Sequence, residues 1–399
     1  MKIFLHDYCG HPFQIQLSRW LAAHGHQVCH CYSEDIESPR GNLSEAGSGL
    51  TITSIGQGKA IPKYDLVRRS LQEARYASLV AAEVRRYEPD IVISGNTPPA
   101  IQAALRRAVQ SRGGAFVYWL QDVYSAVLER VLPKRIPIAG RFVSGRFRKY
   151  EFGIMAKSDA VVVISEDFIK HCTRDGVARD KIIVQHNWAP LSEITPAPRD
   201  NAWARAHGFV DKFVFLFSGT LGLKHNPGLL SRLAEHFREQ PDVIVAVISQ
   251  GLGRAWLEEE VRTKKLENLR LFDFQPFDQL SDVLGSADVL IAILEAFAGE
   301  LSVPSKILTY LCAERPLLAA LPPENLASRI VASADAGKTV SPLDEDGFVA
   351  AAELLMNDPN LRQLNAASAR AYAQTAFDID RIGNHFLEIF SRARQTARR

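Results

Sequence analysis

Residues 212–230 read KFVFLFSGTLGLKHNPGLL. An unbroken apolar run, Phe213 to Phe217, closes on Ser218, Gly219 and Thr220, and Gly222, Lys224, His225 and Asn226 precede the next apolar stretch. A short continuous apolar run that ends at glycine describes a strand buried on both faces, which is the habit of parallel sheets. Glycines at its end let the backbone approach a ligand, and the helix start that follows offers free N–H groups to an anion. Lys224 adds a compact positive charge of the kind that meets phosphate. The GK[ST] ending of a P-loop is missing. The plainer reading of the same residues is a tight turn with a solvated lysine.

The pattern repeats in both directions. Downstream, DVIVAVISQG, LRLFDFQP, DVLIAIL, PLLAAL and GKTVSP alternate with helical stretches; upstream, KIFLH, HQVCHCY, DIVISG, AFVYWLQD, DAVVVISED and KIIVQHNW do the same. Between the two series lies APLSEITPAPRDNAWAR, rich in proline and poor in periodicity. Strands alternating with helices imply parallel sheets covered on both faces. The expected fold class is therefore α/β, with two Rossmann-like doubly wound domains facing across a cleft. Their expected extents are 1–190 and 206–377, joined by a linker at 191–205. A last helix near 378–394 follows, for which a return to the first domain is one course open.

The length of 399 residues suits two cores of this size, and 47% hydrophobic with 23% charged residues excludes disordered or collagen-like chains. No apolar run reaches the roughly 18 residues of a membrane span. MKIFLHDYCG reads as a strand and not as a signal peptide, so a cytoplasmic location is expected. The net charge of +2 is too small for a dedicated nucleic-acid binder. It hides an asymmetry: residues 1–200 carry 26 Lys/Arg against 20 Asp/Glu, and the remainder 21 against 25. Residues 130–149 hold seven basic residues and no acidic one, with Ile136, Ile138, Phe142, Val143 and Phe147 interleaved. Such a segment suits an anionic bilayer, or is simply a solvated basic face. Five cysteines form no CxxC pair, and no metal site is expected.

Candidate site residues sit where strands end. In the second series, Pro304 and Ser305 open a helix with Lys306 in its first turn. A cation there opposes the helix dipole but is well placed for a docked anion. Glu300, just before it, is able to accept hydrogen bonds from sugar hydroxyls, and otherwise caps a helix. Gly251 and Gly253 form a weak GxG turn, while Gln275 and Pro276 end a strand that suits a flat base or a plain turn. In the first series the strand-end polar residues include Gly10 and His11, Asn96, Asp122 and Tyr124, Ser165, and Asn187. Each is a hydroxyl binder, a general base or an ordinary helix cap.

Taken in order, FVYWLQDVY (116–124), VVVISEDF (161–168), IIVQHNWAP (182–190), FLFSGTLGLKHNP (215–227), VISQGLG (247–253), LRLFDFQPF (269–277), SADVLIAIL (286–294) and PSKILTYLCAERPLLA (304–319) resemble glycosyltransferase family 4. The branch they resemble makes bacterial exopolysaccharides of the colanic-acid type. The resemblance implies the GT-B fold and a hexosyltransferase that uses a nucleoside-diphosphate sugar, UDP- or GDP-linked. The acceptor it implies is a lipid-linked or surface-polysaccharide glycan, commonly polyprenyl-diphosphate-linked at the inner face of the cytoplasmic membrane. It implies a retaining reaction without a metal.

By that resemblance Lys224 and Lys306 hold the diphosphate with help from Ser305, Gly219, Thr220, Gly251 and Gly253. Gln275 and Pro276 meet the base, Gly10 lies under the diphosphate, and Glu300 lies near the donor sugar. His11, Asn96, Asp122, Tyr124, Ser165 and Asn187 fall to the acceptor side, with Asp122, Glu300 and Lys306 as the catalytic candidates. Asp122 as a base suits inversion, which competes with retention. The wider family often carries two glutamates eight positions apart; here the positions eight beyond Glu295 and Glu300 are Val303 and Leu308, and Thr309 is the nearest equivalent. The family's small-residue-x-proline pattern is replaced by Glu314-Arg315-Pro316. A nucleotide-sugar epimerase of the same fold and a non-catalytic sugar-nucleotide-binding subunit are the alternative readings.

Overall fold

The computed structural model of the chain describes residues 1–36, 40–43, 48–58, 66–222, 225–299 and 303–398; Lys224 and Glu300 lie outside the described residues. The chain divides into two compact units, Met1–His186 with Ile379–Arg399, and Asn187–Asp378.

The first unit is built on seven strands: β1 (Lys2–Asp7), β2 (Gln27–Ser33), β3 (Leu50–Ile55), β4 (Ile91–Gly95), β5 (Ala115–Leu120), β6 (Ala160–Val163) and β7 (Ile182–Val184). Their order is β3-β2-β1-β4-β5-β6-β7. The second unit has β8 (Phe213–Ser218), β9 (Val243–Ile248), β10 (Leu269–Phe272), β11 (Val289–Ile293), β12 (Leu317–Ala320) and β13 (Gly337–Val340), ordered β10-β9-β8-β11-β12-β13. Neighbouring strands run parallel, with Ile3 beside both Val28 and Ile91, and Val289 beside Phe215. Both units are thus doubly wound, as the alternating apolar runs require. In each, the strand order reverses at one place, between β1 and β4 and between β8 and β11. At such a reversal neighbouring crossovers leave to opposite faces and open a crevice beyond the strand ends.

In the second unit the central strands β8, β9 and β11 are apolar because helices cover both faces. Phe215, Phe217, Val245, Val247 and Ile291 pack with Leu229, Leu230 and Leu233 of the helix Gly228–His236 and with Leu257. Fully burying each such side chain contributes about 1.5–3 kcal/mol. Cys29 and Cys31 flank His30 on β2, and all three are buried; the His30 ring is hydrogen-bonded to Ser18 Oγ at 2.9 Å. All five cysteines are free thiols.

Residues 191–205 are held within the second unit. Arg199 pairs with Asp288 at 3.0 Å, and Asn201 caps the helix Ala202–Ala206 while donating to the Asp282 carbonyl. The Glu314-Arg315 departure has a packing role here. Glu314 takes φ +54, and the Arg315 guanidinium donates to the carbonyls of Ala287, Ala197 and Gly285, each at 2.9 Å. The last helix, Ile379–Ala397, lies on the first unit. Trp20 Nε1 donates to Asp380 at 2.6 Å, Phe386 meets Trp119 with ring centroids 5.0 Å apart, and His385 pairs with Gln185. Gly383 admits Trp20, since a Cβ there would come within 2.2 Å of the indole. Among the described residues no helix is long and apolar enough to cross a membrane.

Candidate functional site

In the second unit, Gly219 and Lys306 meet at the reversal between β8 and β11, and Gly251 and Gly253 pack on the neighbouring β8 loop. Ser218 ends β8, and Gly219 follows with φ +138, a conformation that side chains rarely adopt. A Cβ at Gly219 would stand 3.2 Å from both Cε and Nζ of Lys306, so the absent side chain is the space that this lysine occupies. Lys306 belongs to the helix Ser305–Cys312, whose N-cap, Pro304, makes no side-chain hydrogen bond. Among the described residues no N-cap side chain bonds the first-turn N–H groups, which lie beside a cation, an arrangement suited to an anion.

The Lys306 ammonium is buried and has no hydrogen-bond partner among the described residues. It lies 3.6 Å from the centroid of the Phe217 ring. Burial pushes its pKa down from 10.5 to about 7. The ring face offers a partial substitute for water, but an unpaired buried ammonium remains costly unless a ligand supplies the counter-charge.

Tyr310, one turn further on, fixes this helix to the strand. Its hydroxyl accepts from Ser218 N at 2.8 Å and donates to Ser218 O at 2.9 Å. Sequence reasoning missed it: an aromatic in an apolar helix stretch reads as core, and its partner lies 92 positions away. The β8 and β9 loops are joined as well. Leu221 N donates to Ser249 Oγ and to the Gln250 carbonyl, and Gly253 N donates to the Leu221 carbonyl at 3.0 Å. Gly251 has φ +105, and at Gly253 a Cβ would sit 2.7 Å from that of Leu221, so both glycines are required by close approach.

Thr220, Pro276 and Ser305 are exposed, and Thr309 is half-buried. The Gln275 side chain is already engaged, accepting from Trp203 Nε1 at 3.1 Å and donating to the Asp273 carbonyl at 2.9 Å. Any base contact from this turn falls to its backbone or to Pro276.

In the first unit, the β1 and β4 ends meet in the same topological place. Asp7 is fully buried and accepts from Cys9 N, from His11 N and from His11 Nδ1, the last at 3.1 Å. Burial would raise its pKa, but His11 and these donors hold it below the ordinary 3.8. With Nδ1 donating to the carboxylate, Nε2 is the acceptor of the His11 ring, and Asn96 Nδ2 donates to it at 3.4 Å. Gly10, with φ +79, allows the chain to turn between Asp7 and His11. Behind them His6 is buried and neutral, bonded to Ser94 Oγ at 2.9 Å, Thr97 Oγ1 at 3.1 Å and Tyr76 OH at 3.0 Å.

Asp122 is half-buried just before the helix Tyr124–Arg135, whose first N–H groups, those of Tyr124 and Ser125, donate to Glu151 at 2.9 Å each. Glu151 is a cap supplied from a different helix, and local spacing carries no signal for it. Ser165 is committed to its own helix start, donating to Asp167 at 2.6 Å. Asn187 is the first residue of the second unit. A separate depression lies at the opposite end of the first sheet, at the amino ends of β4 and β5. Its rim is closed by the ion pairs Arg112–Glu88 and Arg394–Asp90.

Sequence comparison agrees with this division. Glycosyltransferase Family 4 matches residues 14–193, and Glycosyl transferases group 1 matches residues 200–372. The chain is a family 4-like glycosyltransferase of the GT-B fold. It is 26% identical over 232 residues to a protein of Escherichia coli provisionally assigned as colanic acid biosynthesis glycosyl transferase WcaI. That match covers 56% of this chain and 55% of WcaI, about half of each. A provisionally assigned Pseudomonas aeruginosa glycosyltransferase, WbjE, is 28% identical over 297 residues, covering 71% of this chain and 70% of its own. Among solved structures, Anabaena HepE in complex with UDP and glucose superposes with a TM-score of 0.71 at 15% identity, over 98% of this chain and 99% of that one. At that identity the likeness is one of fold.

Proposed function

We propose that this glycosyltransferase moves a hexosyl group from a UDP- or GDP-sugar to a lipid-linked or surface-polysaccharide acceptor, with retention of configuration. The observation that carries the reading is the buried Lys306 ammonium, without a hydrogen-bond partner among the described residues, beside Gly219 and a helix start whose N-cap is a proline. A sugar-nucleotide diphosphate supplies the missing counter-charge. The bond from the sugar anomeric carbon to the diphosphate oxygen breaks, and the electron pair leaves with the nucleoside diphosphate. The acceptor oxygen bonds to the same face of that carbon, and its proton passes to the departing phosphate.

Negative charge grows on the diphosphate as the bond breaks, so a pre-placed ammonium and N–H groups favour the transition state over the ground state. The charge is met by Lys306, with Lys224 of the β8 loop, and no divalent metal takes part. The backbone and Pro276 of the β10 turn meet the base. By the sequence resemblance Glu300 serves the donor sugar, and Asp122 with His11 and Asn96 serves the acceptor. HepE was solved with UDP and with UDP-glucose, which supports a donor of this class.

The test is turnover of a panel of UDP-, GDP-, ADP- and dTDP-sugars by the purified chain, with and without EDTA. Release of nucleoside diphosphate that survives EDTA and is lost in Lys306→Ala supports the reading. Strict dependence on manganese or magnesium, or an isomerised nucleotide sugar formed without acceptor, overturns it.

A further inference from the structure

The basic segment 130–149 is not used by the donor site, and its placement in the fold gives it a face of its own. It spans two helices, Tyr124–Arg135 and Pro137–Ala156, that meet at a corner on Ile136. The corner is closed by Ile136 N donating to the Leu132 carbonyl at 2.8 Å and Gly140 N to the Ile136 carbonyl at 2.7 Å. Gly140 is required there, because a Cβ would come within 2.6 Å of the Leu132 carbonyl group. The tight corner turns apolar side chains outward. Ile138 is 88% exposed, Phe142 66%, Ile136 55% and Val143 52%, with Val127 and Tyr150 also exposed nearby.

Exposed apolar residues scattered singly are ordinary on a soluble surface; six within one helical hairpin are not. The second helix shows why they are not a misplaced core. Its buried stripe is already filled by Gly140, Ser144, Glu151, Phe152 and Met155. On the outward face, Ile138 and Phe142 occupy the first two turns, and Arg146 and Lys149 follow behind them, all four exposed. The Arg146 guanidinium lies 5.7 Å from the Phe142 ring centroid. Glu129 and Asp175 beside the hairpin are matched by two cations: Arg148 pairs with Glu129 at 3.1 Å and with Asp175 at 2.6 Å, and Arg174 with Asp175 at 3.5 Å. What remains on the outward face is apolar at the tip and positive behind it.

We propose that this hairpin docks on an anionic phospholipid bilayer, with Ile136, Ile138 and Phe142 entering the acyl boundary and Arg141, Arg146 and Lys149 meeting lipid phosphates. Charge complementarity selects this occupant: a second copy of the chain would bring the same cations against themselves, whereas a bilayer offers negative charge at the depth where apolar side chains enter. No span is needed, because interfacial helices lie in the plane of the headgroups. The inference does not depend on the transfer reaction, so either can fail without the other.

The experiment is co-sedimentation of the full chain with vesicles of phosphatidylcholine alone and of phosphatidylcholine with phosphatidylglycerol. Binding to the anionic vesicles at least tenfold stronger than to the neutral ones is expected, and high salt weakens it. Each exposed cation is worth about fivefold in partitioning, so R141E/R146E reduces binding more than twentyfold. I138S/F142S abolishes it while circular dichroism and the melting temperature stay unchanged, since both side chains are outside the core. The proposal is overturned if the chain ignores anionic vesicles, if both double variants bind as the parent does, or if F142S instead disperses a dimer of the chain.

Discussion

The Lys306 ammonium sits 3.6 Å from the centroid of the Phe217 ring and meets no hydrogen-bond acceptor among the described residues. A cation kept in this state costs stability and serves only when an anion arrives. Lys306→Met is therefore expected to lower nucleoside-diphosphate release by about a hundredfold or more. The same change stabilises the ligand-free chain by about 1 kcal/mol, because a buried charge is replaced by an apolar side chain of similar length. Steady-state kinetics and thermal unfolding together check the opposite signs; a drop in both activity and melting temperature would mean that the lysine is structural.

The same lysine predicts a proton linkage. Its pKa in the free protein is about 7 against an ordinary 10.5, so at pH 8 it is mostly neutral. A bound diphosphate favours the ammonium, and UDP binding at pH 8 should take up a proton, toward one per site. At pH 6 the uptake should vanish, since the ammonium is already formed. Calorimetry in buffers of different ionisation enthalpy reads this directly. Without ligand the sign for folding follows from the same values: the unfolded chain binds more protons between pH 7 and 10.5, so stability rises across that window.

Tyr310→Phe removes the hydroxyl that joins the Lys306 helix to both backbone groups of Ser218. A loss of about 1–3 kcal/mol is expected in urea unfolding, because the Ser218 groups lose their partner. UDP affinity should fall with it, even though position 310 is not assigned to touch the nucleotide. Unchanged affinity in a destabilised variant would show that the helix holds its place without this tether.

Acid should weaken the first unit above the carboxylate range. Burial lowers His6 to about 3 and His30 to about 4, both from 6.5. The unfolded chain therefore binds more protons as pH falls from about 6.5 toward 4, and stability declines through that window. Urea midpoints at pH 7.5, 6 and 5 should fall in order. His30→Gln, which can still bond Ser18, should flatten the decline.

On the acceptor side, His11→Ala should leave UDP affinity intact and reduce transfer to acceptor over hydrolysis. The Asp7 carboxylate fixes the ring from Nδ1 and the Asn96 amide from Nε2, so an acceptor hydroxyl would meet Nε2 in place of Asn96. Equal loss of donor binding would move His11 to the donor side.

Much of this molecule was legible in one dimension. Runs such as FVFLF and VVVI read as strands buried on both faces, because they are short, rich in β-branched and aromatic residues, and closed by polar turn residues. The glycines that end them mark where backbone must turn tightly, which Gly219 and Gly251 do with positive φ. Those signals are local, and the strand–loop–helix order, the α/β class and the candidate loops followed from them. What lay beyond them was which loops meet and which side chains are already engaged. Gln275 reads as a base contact or a plain turn, and its amide is held by Trp203 and by the Asp273 carbonyl; Ser165 reads as a hydroxyl binder or a helix cap, and it is spent on its own helix start. Tyr310 reads as core yet clamps the end of β8, and Glu151 caps a helix it does not belong to. These pairings depend on strand order and helix docking, which bring together residues far apart in the chain. Local pattern therefore determined the elements and the positions of their ends. Only packing decided that Lys306 would be driven into the space left by Gly219, stripped of water and left without a hydrogen-bond partner among the described residues.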